Sequence, residues 1–327
     1  MLSSLINKIF NISNEENFNA IALEVFNFQY QNVAIYKSYI DLNKININEI
    51  NDFNKIPFLP IQFFKSHNVI TNNKSIDKTF LSSGTTKNKR SKHSLHDIEI
   101  YKKSFLNGFK KFYGDPQKWT ILALLPSYLE QGDSSLIYMV DQLIKLSNNK
   151  LSGYLDLEND NIENIIDSLK NENVLLIGVS YALLDLSQKK LPSLKNWTIM
   201  ETGGMKGRKK EMVRNELHQI LKSSFDVKNI HSEYGMTELL SQAYALNNGL
   251  FNCPPWMKVM IRDLEDPYNW LNTNSSGGIN IIDLANIYSC SFIETQDIGK
   301  KYENNSFEVL GRFDNSEIRG CNLLSIN

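Results

Sequence analysis

The stretch His231-Ser232-Glu233-Tyr234-Gly235-Met236-Thr237-Glu238 follows a short apolar run and leads into Leu239-Leu240-Ser241. It gathers an aromatic ring, a glycine, a hydroxyl and two carboxylates within a few residues. That set suits a nucleotide: a ring face for a base, a hydroxyl for a phosphate oxygen, a carboxylate for a divalent cation. Taken alone it is equally a polar turn capping a helix. What decides between the two is whether other segments supply the rest of a nucleotide site.

Upstream of this stretch, strand and helix patterns alternate. Trp119-Thr120-Ile121-Leu122-Ala123-Leu124-Leu125 reads as a buried strand and Ser135 to Leu146 as a helix. Ile162 to Leu169 is a second helix, Val174-Leu175-Leu176-Ile177-Gly178-Val179 another buried strand, and Tyr181 to Leu186 a helical piece. Trp197-Thr198-Ile199-Met200 is again a strand, followed by a helix over Lys209 to Leu221. Continuous apolar strands between helices predict a parallel sheet covered on both faces, an α/β fold. In such sheets ligands sit at the C-terminal ends of the strands. Pro126-Ser127-Tyr128, Ser180-Tyr181, Glu201-Thr202-Gly203-Gly204 and Ser232-Glu233-Tyr234 all fall there.

Farther upstream, Thr79-Phe80-Leu81 runs into Ser82-Ser83-Gly84-Thr85-Thr86-Lys87-Asn88-Lys89-Arg90-Ser91-Lys92. Glycine allows successive amides to turn inward, and the hydroxyls add donors, so the pattern reads as strand, polyanion-cradling loop, helix. The competing reading is a solvated Ser/Thr/Lys loop. Ser94 and Asp97 have the form of a capping box ahead of a helix with the stripe Ile98, Tyr101, Phe105, Phe109 and Phe112. The first sixty residues carry Phe18, Ala22, Val25, Phe26, Val33, Tyr36 and Ile40 at helical spacing. After about residue 250 short strands take over, at Met257–Arg262, Gly278–Ile282, Cys290–Thr295 and Ser306–Leu310. The expected organisation is an α/β nucleotide- and acyl-binding portion, 1–250, and a β-rich subdomain, 251–327, forming one folded unit.

Composition narrows the class. A formal net charge of −1 over 327 residues gives no general attraction for nucleic acid. No apolar run reaches the length of a membrane span, and the N-terminus is too interrupted by polar residues for a secretory signal. Cys253, Cys290 and Cys321 are far apart, without metal-ligand spacing or a disulfide framework, which points to a reducing, cytoplasmic setting.

Four signals stand in a fixed order: Ser83-Gly84-Thr85-Thr86, Gly203-Gly204, Tyr234-Gly235-Met236-Thr237-Glu238, and Thr295-Gln296-Asp297-Ile298-Gly299 followed by Gly311-Arg312. In this order, on an α/β and then β-rich chain, they resemble the adenylate-forming superfamily of acyl-CoA synthetases and luciferase-like enzymes. The ending Ile318-Arg319-Gly320-Cys321-Asn322-Leu323-Leu324 and the segment Leu125 to Ser135 resemble one branch of it. That branch is the acyl-protein synthetase of the bacterial bioluminescence fatty acid reductase complex. The resemblance covers roughly residues 55 to 324. It implies the superfamily's large-domain architecture without the usual small C-terminal domain.

The resemblance also implies roles. Ser82, Ser83, Gly84, Thr85, Thr86 and Lys87 would close over the ATP β- and γ-phosphates. Gly203 and Gly204 would let backbone approach the adenine, Tyr234 and Gly235 would lie along it with the ring stacking, and Thr237 would bond the α-phosphate. Glu238 would hold Mg²⁺, Asp297 the ribose hydroxyls, and Arg312 the ribose or a phosphate. Cys321 would receive the acyl group. Two departures stand out: Lys87 occupies a position that is usually glycine, and the lysine-bearing C-terminal domain is missing, leaving Lys206, Arg208 or Lys258 as substitutes. The implied activity is ATP- and Mg²⁺-dependent activation of a carboxylic, fatty acid to an acyl-adenylate, followed by transfer to a thiol. The acceptors in view are Cys321, an acyl carrier or coenzyme A, with a reductase as a further partner. The alternatives are an aryl- or acyl-CoA ligase-like enzyme and a non-catalytic nucleotide-binding relative.

Other residues carry weaker readings. His231 reads as lining the site or, as a lone histidine after a strand more often is, structural; His93 and His96 read as anion-binding groups near the phosphate loop or, more commonly, a solvated face. Phe58, Phe63 and Phe64 form either an acyl channel or plain core. Ser127, Tyr128 and Ser180 have no histidine–carboxylate partner, which disfavours a serine hydrolase.

Overall fold

The computed structural model describes residues 2–72, 74–83, 90–126, 132–158, 161–203 and 212–313. At the N-terminus the helical spacing produces α1 (Leu2–Phe10), α2 (Glu15–Asn32) and α3 (Ala34–Leu42). Asn14 caps α2 by accepting the Asn17 N–H, and Glu15 and Glu16 suit the positive end of its dipole. Phe18, Ala22, Val25, Phe26, Val33, Tyr36 and Ile40 are all buried, as their periodicity predicts. A two-residue strand, β1 (Leu59–Pro60), and a single turn, α4 (Phe63–Ser66), come next. Phe58 and Phe64 are core residues, Phe58 meeting Trp270 and Phe292 edge-on.

The next segment departs from expectation. Instead of strand, loop and helix, β2 (Lys78–Leu81) and β3 (Lys92–Leu95) pair as an antiparallel hairpin, and α5 (Ile98–Tyr113) starts only after it. Ser94 lies inside β3 and bonds Thr79 across the hairpin at 3.1 Å, so the start of α5 is capped by Asp97, accepting the Glu99 N–H at 3.0 Å, and by Asp77, accepting the Ile98 N–H at 3.0 Å. A hydroxyl that reads as a cap is thus taken by its cross-strand neighbour. The stripe of α5 faces inward as expected, with Tyr101, Phe105 and Phe109 buried.

The central layer is built from β4 (Thr120–Leu124), α6 (Ser135–Leu146), β5 (Gly153–Tyr154), α7 (Ile162–Leu169), β6 (Val174–Val179), α8 (Ser180–Ser187), β7 (Thr198–Thr202), α9 (Arg214–Phe225), β8 (Ile230–Tyr234) and β9 (Ala243–Ala245). The sheet order is β5-β4-β6-β7-β8-β9, parallel except for β9. Every residue of β4 and β6 is buried, the signature of a sheet covered on both faces. Helix α9 runs four residues past the expected Leu221, to Phe225, where Asp226 at φ 57° turns its N–H back to the Lys222 carbonyl.

A second sheet holds β10 (Met257–Arg262), β11 (Ser276–Asp283), β12 (Phe292–Lys301) and β13 (Phe307–Arg312), in antiparallel pairs, with β1 added parallel to β12. The N-terminal helices lie on this sheet: the rings of Phe26 and Tyr36 meet Phe292. Gln29, fully buried on α2, donates to the Asn286 and Ile287 carbonyls and the Ser291 hydroxyl and accepts the Ser291 N–H. Among the described residues no helix is long and apolar enough to cross a membrane.

Candidate active site

The motif over residues 231–238 straddles the C-terminal end of β8. His231 to Tyr234 belong to the strand, and Gly235 to Glu238 form the turn that leaves it, closed by Leu239 N–H to the Met236 carbonyl. Glu233 is buried and accepts a hydrogen bond from the Thr202 hydroxyl on β7. Burial pushes its carboxyl up to about 7, with Thr202 pulling the other way. Gly235 is glycine for a steric reason: a Cβ there would come within 2.5 Å of Glu233 Oε1. After the turn, the buried Asp283 accepts the N–H groups of Leu240 and Ser241 and the Ser241 hydroxyl, which fixes the exit of the motif to β11.

Tyr234 joins the two sheets. Its ring, 9% exposed, packs against Phe251 and Phe307, and its hydroxyl donates to Asp297 Oδ2 at 2.7 Å. Asp297 stands opposite Arg312 in the β12–β13 register, and Arg312 Nε lies 3.7 Å from its Oδ1. Burial raises the Asp297 carboxyl, partly offset by Tyr234 and Arg312. The Arg312 side chain itself is exposed.

The hairpin closes the other side. His93, fully buried on β3, donates from Nδ1 to the Thr237 carbonyl at 2.8 Å, and Asn286 Nδ2 donates to the Glu238 carbonyl at 2.8 Å. The Glu238 carboxyl is raised by burial and accepts a hydrogen bond from Ser91. Ser82, at the hairpin's entry, accepts the Ser91 N–H on its hydroxyl at 2.9 Å. Thr237 is half-buried and Ser83 exposed. Among the described residues no group of three or more His, Cys, Asp or Glu could hold a metal. One buried carboxylate beside a threonine fits Mg²⁺ that arrives already bound to phosphates, which takes one or two carboxylates from its protein.

Behind this edge lies a polar cluster. Gly203, at φ 66°, follows β7, and its carbonyl accepts the Ser180 hydroxyl at 2.8 Å. Glu201 is paired with Arg214 at 3.0 Å and lies 3.6 Å from His218. Burial alone would raise the Glu201 carboxyl, but His218, Arg214 and Ser232 bring it below its ordinary value. Arg214 also donates to the Val309 carbonyl on β13 and covers the Phe251 ring, so α9 is fastened to the strand that carries Arg312.

No family model matches the sequence, and no curated protein matches it. Solved structures do match in shape. The ATP-bound MatB from Rhodopseudomonas palustris aligns over 74% of this chain and 50% of its own, at 15% identity and a TM-score of 0.55. A 2-hydroxyisobutyryl-CoA ligase in the postadenylation state, in complex with 2-HIB-AMP, aligns over 92% of this chain and 68% of its own, at 10% identity and a TM-score of 0.68. The luciferase-like enzyme of the nonluminescent mealworm Zophobas morio aligns over 75% and 59%, at 15% identity and 0.51. The fold is the adenylate-forming enzymes' large-domain fold. This chain spans about half the length of MatB.

Within that fold, Tyr234, Gly235, Thr237 and Glu238 lie at the end of β8 and in the turn after it, Gly203 follows β7, Ser82 and Ser83 follow β2 of the hairpin, Asp297 is inside β12 and Arg312 ends β13. Gly84, Thr85, Thr86, Lys87, Gly204 and Cys321 lie outside the described residues, as do Ser127, Tyr128, Lys206 and Arg208. Lys258 pairs with Glu15 at 3.3 Å and lies over the rings of Phe18 and Phe53. His231 is half-buried on β8, its Nδ1 3.1 Å from the Tyr113 hydroxyl. The solvated-face reading of His93 is overturned: it is buried against Phe64 and holds the motif's backbone. Sequence reasoning missed Asn286, Arg214 and this role of His93. Each acts on a partner distant in the chain, and no local pattern marks such a contact.

Proposed function

We propose that the protein is an adenylate-forming acid–thiol ligase using ATP and Mg²⁺. The observation that carries the reading is the Tyr234–Asp297 contact, which brings the motif at the end of β8 up to the β12–β13 pair bearing Arg312. In the first step a substrate carboxylate oxygen attacks the α-phosphorus, forming an acyl-phosphate bond as the bond to pyrophosphate breaks. In the second, a thiolate attacks the acyl carbon and AMP leaves with the electron pair.

The residues divide this work. Asp297 accepts hydrogen bonds from the ribose hydroxyls as charge-assisted pairs. Arg312 neutralises phosphate or holds the ribose, and Thr237 bonds the α-phosphate. Glu238 is the carboxylate for Mg²⁺, which on binding neutralises phosphate charge. Gly203 and Tyr234 border the adenine. In-line displacement at phosphorus asks for positioning and charge stabilisation more than covalent help, and these groups offer both.

For the acceptor, the CoA-ligase names among the matching folds favour a soluble thiol of the coenzyme A type over Cys321. Cys253, half-buried, and Cys290, buried, have thiols pushed up to about 12 by burial, which makes poor nucleophiles of both. Acid-dependent ATP–pyrophosphate exchange over a panel of acids, fatty acids included, tests the first step. No exchange with any acid, with nucleotide binding retained, overturns it in favour of a non-catalytic nucleotide-binding protein. Labelled acid with ATP, with and without coenzyme A, tests the second. Hydroxylamine-sensitive label on the protein that disappears in Cys321→Ser assigns that cysteine as acceptor; thioester formed only in solution assigns coenzyme A.

A further inference from the structure

Two consecutive carbonyls of the motif, those of Thr237 and Glu238, are held by two side chains from different parts of the chain. His93 on β3 donates Nδ1–H to the first and Asn286 donates Nδ2–H to the second. A carbonyl only accepts, so the proton of neutral His93 is on Nδ1 and its Nε2 is a bare acceptor. The Asn286 amide is oriented by the same logic. Its Nδ2 reaches both the Glu238 carbonyl and, at 3.1 Å, the Cys290 carbonyl, so Oδ1 faces the other way.

Those two remaining atoms, His93 Nε2 and Asn286 Oδ1, are both buried and have no hydrogen-bond partner among the described residues. His93 is 0% exposed and Asn286 1%. Leaving such a group unpaired in an interior is costly, because it gives up its hydrogen bond to water without a replacement. Both residues line one small cavity of about 10 Å³, together with His96, Leu240, Tyr288 and Ser289. That volume is about what one water needs, and a buried water needs at least two polar partners. Two acceptors call for a molecule with two donors. The other nearby imidazole does not compete, since both nitrogens of His96 already face carbonyls, of Ser75 and Thr71.

We propose that this cavity is a binding site for a single internal water. It donates one proton to His93 Nε2 and the other to Asn286 Oδ1, closing a clamp that positions the Thr237–Glu238 backbone. The catalytic importance of that backbone rests on the adenylation reading; the water site does not. Burial holds the His93 imidazole down at about 4, so the clamp keeps its neutral tautomer across the physiological range. Asn286 is itself located by Gln29 of α2, which donates to its carbonyl at 2.9 Å. His93 and Asn286 are therefore positioning residues.

The test uses the intact protein and needs no turnover. In long-range ¹H–¹⁵N spectra His93 is expected as the Nδ1–H tautomer, and a high-resolution crystal structure is expected to place one water within hydrogen-bond distance of both atoms. An Nε2–H tautomer, no density between the atoms, or a metal ion there overturns the site. For the clamp, His93→Asn keeps a donor near the Nδ1 position, whereas His93→Gln keeps a group near Nε2 and loses that donor. Amide exchange at Thr237 to Leu239 should quicken about tenfold in His93→Gln and be largely restored in His93→Asn. Equal quickening in both, spread over the whole chain, reduces His93 to core packing. Should both variants fail to fold, the wild-type tautomer and density still decide the water site. Failure of pyrophosphate exchange in a wild type that holds the water would instead sink the adenylation reading alone.

Discussion

Asp297 meets three demands with one carboxylate: it accepts from Tyr234, faces Arg312, and under the proposed function receives the ribose diol. Asp297→Asn keeps the shape and an acceptor for Tyr234 but loses the charge. We expect ATP affinity by calorimetry to fall about 10- to 100-fold, the worth of a charge-assisted hydrogen bond, with the melting temperature nearly unchanged. Glu233 gives a pH signature. Its folded carboxyl is raised from an ordinary 4.5 to about 7, so the native state holds the proton more tightly than the unfolded chain. Its contribution to stability is complete below about 4.5 and is lost as pH rises through 7, roughly 3 kcal/mol in all. Thermal melts of the wild type against Glu233→Gln from pH 5 to 8 should show the slope flattened in the variant. An unchanged slope would assign the titration elsewhere. At this scale the sequence was informative where residues act within one motif, as from Tyr234 to Glu238. It was silent on Asn286, whose acceptor lies 48 positions away.

Among the elements, most strands and helices were legible because their periods are clean. Ser135–Leu146, Ile162–Leu169 and Val174–Val179 match the sequence reading residue for residue. The hairpin β2–β3 was not legible. Its second strand, Lys92-His93-Ser94-Leu95, is polar in composition, and three of its four residues are buried only because cross-strand and distant partners satisfy them. Helix α9 shows the same dependence on distant contacts. Its first residue, Arg214, pairs with Glu201, whose side chain is only 4% exposed, and reaches β13 through Val309. Arg214→Met should cost up to about 3 kcal/mol by removing the guanidinium partner of that buried carboxylate, leaving it only His218 and hydroxyl donors. The double variant with Glu201→Gln should recover much of it, as chemical denaturation would measure. Additive losses would mean that the pair is not coupled.

At the scale of the whole molecule, the β-rich region is no appendage: α2 and α3 form its cover and β1 is one of its strands. We expect a single cooperative unfolding transition, coincident by tryptophan fluorescence and far-UV dichroism. Gln29→Leu, which strands the hydrogen-bonding groups of the 286–291 turn, should lower the whole transition by roughly 2–4 kcal/mol rather than split it. Two separated transitions would divide the chain near residue 250 instead. The pairing of Leu59 with Ile293 also sets a timetable for synthesis. Helices α2 and α3 leave the ribosome more than two hundred residues before the sheet that they cover. At roughly 5–20 residues per second the apolar faces of α2 and α3 wait on the order of ten to fifty seconds for their partner. Slowing translation between α3 and β12 would lengthen that exposure of apolar surface in the nascent chain.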